Sequence, residues 1–140
     1  MADHQVKISR SSAAASLEFS DRFNVAVPFI DRHLDDGRAG LPAIRTQAGD
    51  NVTYGELAER VNRTGNALKG LGIGSGDRVL MIVKDCPEFF YVFWGAIKAG
   101  IVPVPLNTLL RADDYRYMIE DSGAAAVVYS PEFAAEAGPA

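Results

Sequence analysis

The stretch between residues 78 and 129 alternates between short apolar runs and helical patterns, and this alternation constrains the fold more than any other feature. The run 78–83 is apolar almost throughout, which is typical of a strand covered on both faces. The runs 101–104 and 124–129 also have the length of strands. Pro103 favours an edge or a starting position for the first of them, and the apolar composition of the second predicts another buried strand. Helical patterns separate the three runs. This order predicts an α/β fold of βαβ units with a mainly parallel sheet and right-handed crossovers.

The clearest helix begins after Thr53. Residues that can form one face recur at steps of three and four from Leu57 to Leu71. Thr53 and Glu56 have the spacing of a capping box, in which each side chain accepts a hydrogen bond from the backbone of the other. Gly72 is a natural end for the helix.

Three further segments have helical patterns. One begins near Asn24 and carries Pro28 in its first turn, where a missing N–H does little harm. The second covers residues 87–98 and is apolar nearly all round, so we expect it to be largely buried. The third runs from about residue 112 to residue 121.

The remaining sequence predicts the domain organisation. Residues 1–21 are polar, rich in small side chains and without periodicity, which predicts a mobile tail. Residues 22–140 are expected to form a domain, and the family resemblance described below implies that they are only its first part. In that part, residues 43–46 and 51–53 are predicted to be two short strands joined by a turn. After Ser130 the sequence predicts a poorly ordered end.

Composition excludes several classes of function. The chain has 140 residues, 48 % of them apolar, and suits one globular domain. Its net charge is -4 and its Lys and Arg residues are scattered, which argues against a nucleic-acid surface or a polybasic membrane patch. A single cysteine cannot form an internal disulfide, so we expect a reducing, cytoplasmic location. Two histidines and one cysteine give no metal-ligand spacing.

The glycine-rich segment 70–76 is the first candidate for a nucleotide site. A dinucleotide-binding loop follows a strand and opens a helix, so that the phosphates meet the helix N-terminus. Here the glycines follow a helix and open a strand. We therefore interpret the segment as a helix end and a turn.

Cys86 is the second candidate, because it lies between a strand and a helix, where open α/β sheets place their ligands. A helix N-terminus can lower the pKa of a thiol. Both histidines, His4 and His33, are far away in the sequence, so no base is at hand. A small buried residue at a helix start is the favoured interpretation of Cys86.

Other polar and aromatic residues have simple structural interpretations. Asp113 and Asp114 are adjacent, so on a helix they point in different directions and are expected to be solvated acids of a first turn. His33 is expected near the negative end of a helix dipole. Core packing is favoured over a ligand site for an aromatic run that comprises Phe89, Phe90, Tyr91, Phe93 and Trp94. The residues themselves therefore predict neither a catalytic group nor a metal site.

A series of short motifs resembles the opening of a known enzyme family. The motifs are Thr53-Tyr54-Gly55-Glu56-Leu57, the segment 71–79 that contains Gly-Asp-Arg-Val, Pro-Glu-Phe at 87–89, Lys98-Ala99-Gly100 and Val104-Pro105-Leu106-Asn107. In this order they resemble the adenylate-forming acyl-CoA synthetases over about residues 23–129. Upstream, residues 23–34 look like the benzoate-CoA ligases.

This resemblance implies a function for the whole enzyme. Members of the family join a carboxylic acid to ATP, with Mg²⁺, to form an acyl-adenylate, and then transfer the acyl group to the thiol of coenzyme A. By resemblance, this segment is the N-terminal part of the large domain and mainly acts as a scaffold. The family's phosphate loop, adenine motif, ribose-binding Asp and C-terminal catalytic Lys have no counterpart in this sequence. The resemblance thus implies an N-terminal fragment that is inactive on its own.

Arg111 is the one site residue that the resemblance suggests. In some relatives a basic residue just after the Val-Pro-Leu-Asn segment contacts a phosphate of coenzyme A. Here Leu109 stands near that position and Arg111 follows two residues later. A surface arginine at a helix start is the alternative. The expected partners of the full-length enzyme are an aromatic acid, ATP and coenzyme A, and a homodimer is a further expectation.

Two alternatives stay open at this level. The chain could be a non-catalytic scaffold or interaction domain of the same fold, or part of a ligase for another carboxylic acid. Reading the coding frame beyond Ala140 separates the first alternative from an enzyme, because a ligase requires the phosphate loop and the catalytic lysine downstream.

Overall fold

The computed structural model describes residues 3–12 and 14–140, and within them seven strands pair into three sheets. The strands are β1 (Val6–Arg10), β2 (Ala15–Phe19), β3 (Pro42–Arg45), β4 (Asn51–Thr53), β5 (Arg78–Ile82), β6 (Val102–Pro105) and β7 (Ala126–Tyr129). The α-helices are α1 (Arg32–Asp35), α2 (Tyr54–Gly70), α3 (Pro87–Lys98), α4 (Ala112–Ser122) and α5 (Ala134–Ala137), with a π-helical turn at Val27–Asp31 and a 3₁₀ turn at Pro131–Phe133. None of the helices in the described residues is long and apolar enough to cross a membrane.

The central sheet is parallel and has the order β6-β5-β7, which confirms the predicted βαβ units. Its middle strand β5 is buried on both faces, as the apolar run predicted, and Val79, Leu80 and Met81 are fully inaccessible. The edge position predicted from Pro103 is confirmed for β6. The prediction of a buried strand was wrong for β7. It forms the other edge of the sheet, and its residues are half-buried or exposed.

The predicted capping box at the start of α2 is confirmed. The backbone N–H of Glu56 donates to Oγ1 of Thr53 at 3.2 Å, and the backbone N–H of Thr53 donates to Oε2 of Glu56 at 2.9 Å. The hydrogen bond from the Thr53 backbone lowers the pKa of the Glu56 carboxyl, because it stabilises the charged form. The helix ends at Gly70, and Gly72 has a φ of +85°, which suits a glycine beyond a helix end.

The expectation that α3 is largely buried was wrong. Only Gly95 and Ala96 of this helix are buried, and the side chain of Phe90 is 40 % exposed. The helix packs on α2 with one face, while its other aromatic side chains are covered only in part by the described residues. A helix that is apolar nearly all round is normally buried on most of its faces, and the described residues bury only part of the surface of α3.

The first helical segment begins later than predicted, at Val27. Asn24 instead caps the far end of α3, because its Nδ2 donates to the carbonyl oxygen of Ile97 at 2.8 Å. Lys98 adds an ion pair to Asp31, with 2.5 Å between Nζ and Oδ1. These contacts fix the π-helical turn and α1 against the C-terminus of α3.

Both ends of the chain have more structure than the sequence predicted. In the segment 1–21, β1 and β2 form an antiparallel hairpin with Val6 opposite Phe19. The division of the chain into a mobile tail and a domain from residue 22 stays a prediction. The expectation of a poorly ordered end after Ser130 was wrong, because Ala137 is buried in one cluster with Ile82 and Tyr115.

Candidate functional site

The carboxyl edge of the parallel sheet is the part of the molecule where an open α/β fold places its ligands. The chain leaves β5 here through residues 83–86 and enters α3. It also leaves β7 through Ser130 and leaves β6 through the segment 106–111, which leads into α4. The residues after three neighbouring strands are thereby brought together, although they are far apart in the sequence.

A cleft of about 600 Å³ opens on one side of this edge, between the β3–β4 turn and the start of α3. Its walls are mainly apolar, with Ile44, Phe89 and Phe90 among the residues that line it. The polar groups at its border come from the segment 45–47 and from Asp85. The cleft combines apolar surface with a few polar groups, which is the usual composition of a small-molecule pocket.

A second cleft, of about 360 Å³, lies on the other side of the β5–α3 connection. Here Lys84 forms an ion pair with Glu132, with 2.7 Å between Nζ and Oε1. The hydrogen bond from Lys84 lowers the pKa of the Glu132 carboxyl, and the same contact raises the pKa of the Lys84 ammonium. Ser130 is buried, and its Oγ accepts a hydrogen bond from the backbone N–H of Lys84 at 3.1 Å. These contacts tie the ends of β5 and β7 together.

Cys86 lies between the two clefts and lines both of them. It precedes the first residue of α3 and is half-buried. Burial raises the pKa of its thiol, and the hydrogen bond to Glu88 acts in the same direction. A raised pKa keeps the thiol protonated, so the geometry favours the structural interpretation of Cys86 over that of an activated nucleophile.

Arg111 lies at the start of α4 on the same edge of the sheet. Its side chain is 81 % exposed, and its Nη1 lies 3.1 Å from Oε1 of Glu136. The other carboxylate oxygen of Glu136 accepts a hydrogen bond from the backbone N–H of Ala112 at 3.0 Å. The backbone N–H of Arg111 donates to Oδ2 of Asp114 at 3.1 Å. The first turn of α4 is therefore capped by two carboxylates, and one of them also holds Arg111.

The other residues singled out in the sequence have separate positions. Asp113 pairs with Arg116 at 2.8 Å on the exposed face of α4. His33 stacks on Tyr54 with ring centroids 4.0 Å apart, at the contact between α1 and α2. In α3, Phe89 stacks on Phe93 at 6.0 Å between centroids. Among residues 3–12 and 14–140, no three His, Cys, Asp or Glu side chains form a group that could hold a metal ion.

The sequence did not predict the contacts that Lys84, Glu132 and Glu136 make. Lys84 lies two residues after the end of the buried strand β5, and a charged residue in that position is a detectable signal for the carboxyl edge of a sheet. Glu132 and Glu136 carry no such signal, because only the fold brings them to the ends of other elements.

The comparisons with known proteins fit this architecture. The sequence pattern of the family described as AMP-binding enzyme matches residues 32–139. The chain belongs to this family. It is 44 % identical to a benzoate–CoA ligase of Thauera aromatica over 133 residues, which are 94 % of this chain and 24 % of that protein. It is 46 % identical over 111 residues to a 4-hydroxybenzoate–CoA/benzoate–CoA ligase of Rhodopseudomonas palustris, covering 79 % of this chain and 20 % of the relative.

Solved structures of AMP-binding enzymes have the same fold. A benzoate CoA ligase from Burkholderia xenovorans LB400 superposes with a TM-score of 0.73 at 41 % identity, over 79 % of this chain and 22 % of that one. An anthranilate CoA ligase in complex with anthranoyl-AMP superposes with a TM-score of 0.74 at 34 % identity, with 79 % and 21 % of the two chains covered. The predicted fold class and the predicted family are thereby confirmed. The chain spans only about a quarter or less of the length of these relatives.

Proposed function

We propose that this chain is the N-terminal part of the large domain of an aromatic acid–CoA ligase. In the proposed reaction, the carboxylate of benzoate or a close analogue attacks the α-phosphate of ATP and releases pyrophosphate. The thiol of coenzyme A then attacks the acyl-adenylate and releases AMP. The observation that carries this proposal is the 44 % identity to a benzoate–CoA ligase over 94 % of the chain.

The relatives support an aromatic substrate more than an aliphatic one. Four benzoate and hydroxybenzoate ligases match 79 % to 94 % of the chain at 37 % to 46 % identity. A long-chain fatty-acid ligase of Mycobacterium tuberculosis matches at 40 % identity, but over only 56 % of the chain. Benzoate, a hydroxybenzoate or anthranilate is therefore the substrate class that we propose.

The role that we propose for most of this chain is structural. The buried strand β5 and the contacts of Lys84 with Ser130 and Glu132 fix the carboxyl edge of the sheet. By resemblance to the family, the phosphate loop that binds ATP lies outside this chain, so we assign ATP and Mg²⁺ to other residues of the full-length enzyme. The chain alone is therefore expected to be inactive. The cytoplasm is the proposed location.

Arg111 is the proposed contact of this chain with coenzyme A. Its side chain is exposed, and only one guanidinium nitrogen pairs with Glu136. A guanidinium carries five N–H donors, so it can bind a phosphate oxygen while it keeps the pair with Glu136.

An exchange assay tests the proposed function. The full-length protein should catalyse benzoate-dependent exchange between ATP and pyrophosphate, and should turn over benzoate far better than acetate. At roughly 25 cal/mol per Å² of apolar area, a phenyl ring supplies a few kcal/mol of discrimination over a methyl group. Hydroxybenzoates and anthranilate serve as competing substrates. Equal turnover of acetate and benzoate would refute the substrate class, and an absence of exchange with every acid would favour the non-catalytic alternative.

A further inference from the structure

The hairpin of β1 and β2 precedes residues 32–139, which match the sequence pattern of the family, but the 133-residue match to the benzoate–CoA ligase of Thauera aromatica includes β2. One of its faces is apolar and exposed, with 61 % exposure for Ile8 and 55 % for both Leu17 and Phe19. An isolated two-stranded sheet is at best marginally stable in water. The hairpin therefore needs a partner that covers a strand edge or the apolar face.

The hydrogen-bond pattern defines which backbone groups point away from the hairpin. The backbone N–H of Ser11 donates to the carbonyl oxygen of Ala14, and that of Ser20 donates to the carbonyl oxygen of Gln5. In an antiparallel pair, hydrogen-bonded and non-hydrogen-bonded positions alternate along each strand. With Ile8 opposite Leu17, this alternation places the outward-facing N–H and C=O groups of β2 on Ala15, Leu17 and Phe19.

The outer edge of β2, which pairs with no strand among the described residues, is complementary to itself. If a second β2 pairs with it antiparallel around Leu17, each Leu17 lies opposite Leu17 of the other copy, and Ala15 lies opposite Phe19. These are the three residues whose backbone groups point outward, so three hydrogen-bonded pairs form. Between them, Glu18 lies opposite Ser16 of the other copy, and a hydroxyl can donate to the carboxylate.

The free edge of β1 is less suitable for self-pairing. It carries Lys7 and Arg10, so two paired β1 strands would bring four positive charges together. Lysine and arginine on an edge strand are a common protection against edge-to-edge association. The only charged residue of β2 is Glu18, and it lies opposite Lys7 of the same hairpin. Pairing of β1 with β2 of another copy would leave one edge free on each molecule and would not close.

We propose that β2 is a dimer contact, at which the β2 strands of two copies pair antiparallel around Leu17 and form one four-stranded sheet. The contact is isologous, as expected of a twofold dimer. It puts the apolar residues of both hairpins on the same face of the joint sheet. Two strands of five residues bury much less than the roughly 1,200 Å² of a standard interface, so the dimer is weak and depends on concentration. The proposal does not depend on the reaction that the enzyme catalyses.

Cross-linking of the full-length protein tests the register. In a Cys86→Ser background from which any other thiol has also been removed, Leu17→Cys places two thiols at adjacent positions of paired strands, about 5.5 Å apart between Cα atoms. A short bis-maleimide should link them into a dimer. Ile8→Cys is the matched control, because it lies on the same face with similar exposure. The two residues at position 8 would be separated by three strand spacings, roughly 14 Å, and should not be linked.

Sedimentation of charge variants tests the same contact without cross-linking. In the dimer of Ser16→Glu, each new carboxylate lies opposite Glu18 of the other copy, so two repulsive pairs form. They should raise the dissociation constant of the dimer by about two- to thirtyfold. Ser16→Lys faces the same carboxylate and should lower that constant.

Opposite shifts in the two variants, together with linking at position 17 alone, support the proposal. A protein that stays monomeric at every concentration overturns it, as does equal linking at positions 8 and 17. If a monofunctional maleimide does not label the thiol of the Leu17→Cys variant, other residues of the full-length protein cover β2, and the proposal is wrong.

Discussion

Gly65 of α2 and Gly95 of α3 face each other where the two helices cross. A Cβ atom built on Gly65 would lie 2.8 Å from the carbonyl oxygen of Gly95, and one on Gly95 would lie 2.9 Å from the carbonyl oxygen of Val61. The backbones of the two helices are therefore in direct contact, with no room for a methyl group. This crossing sets the distance between α2 and α3.

Gly95→Ala should destabilise the full-length protein by about 1–3 kcal/mol, because the added methyl group meets a backbone oxygen that cannot move without shifting α2. The measurement is the midpoint of chemical unfolding. Gly70→Ala is the matched control, since a Cβ at Gly70 meets nothing within 4 Å. Alanine is the better helix former, so this control should be neutral or stabilising. Equal midpoints for Gly95→Ala and the parent would show that the helices separate at little cost.

Thr53→Ala should destabilise the protein by about 1 kcal/mol through loss of the cap on α2. Thr53→Ser keeps the oxygen that accepts from the Glu56 backbone and should restore most of the stability. Unfolding midpoints of the three proteins provide the measurement. If serine is as damaging as alanine, the methyl group of Thr53 rather than the hydrogen bond stabilises this end of the helix.

Local signals predicted much of this fold. The capping box at Thr53 and the apolar run of β5 depend on neighbouring residues, and both predictions were confirmed. The helix α3 was predicted to be buried because its composition is apolar, but composition does not say which elements are present to cover it. The hairpin was missed because Ser9 and Ser16, which form a hydrogen bond across its strands, are typical of disordered sequence.

The candidate site was less predictable than the fold. Cys86 and Arg111 were singled out as candidates because they adjoin recognisable elements or motifs, and the role of Arg111 stays a prediction. The pairing of Lys84 with Glu132 joins residues after two different strands, and that of Arg111 with Glu136 joins two different helices. Periodicity and short motifs contain no information on such distant partners, since parallel strands are connected through helices of variable length.

The stability of the protein should fall as the pH drops below about 6.5. Burial lowers the pKa of His33 from 6.5, and the charges of Arg38 and Arg32 lower it further, against an opposing effect of Asp36. The unfolded chain therefore takes up a proton at a higher pH than the folded chain, so acid favours unfolding in this window. His33→Phe keeps a ring on Tyr54 but cannot titrate. Between pH 7 and pH 5, the unfolding free energy of the parent should fall relative to that of this variant, and parallel curves would exclude His33 as the cause.

Residues 1–140 expressed alone should bind a hydrophobic dye, self-associate, or both. The aromatic face of α3 is covered only in part by the described residues, and the outer edges of β6 and β7 pair with no further strand among them. Open edges and apolar patches of this kind promote association. Dye fluorescence and light scattering provide the measurements, with the full-length protein as the control. A monomer with a cooperative melt and no dye binding would establish that this segment is an autonomous domain.

Arg111→Ala should raise the apparent KM for coenzyme A in the full-length protein and leave the adenylation step unchanged. If Arg111 binds a phosphate of coenzyme A, only the second half-reaction uses that contact. The first half-reaction is followed by benzoate-dependent exchange of pyrophosphate, and the second by formation of the thioester. Arg116→Ala is the matched control, because Arg116 is also a surface arginine of α4 and pairs with Asp113 on its own helix. Removing one charge-assisted contact costs about 1.5–3 kcal/mol, which corresponds to a rise in KM of roughly ten- to a hundredfold. If both variants retain the parent KM, Arg111 serves only to pair with Glu136 at the surface.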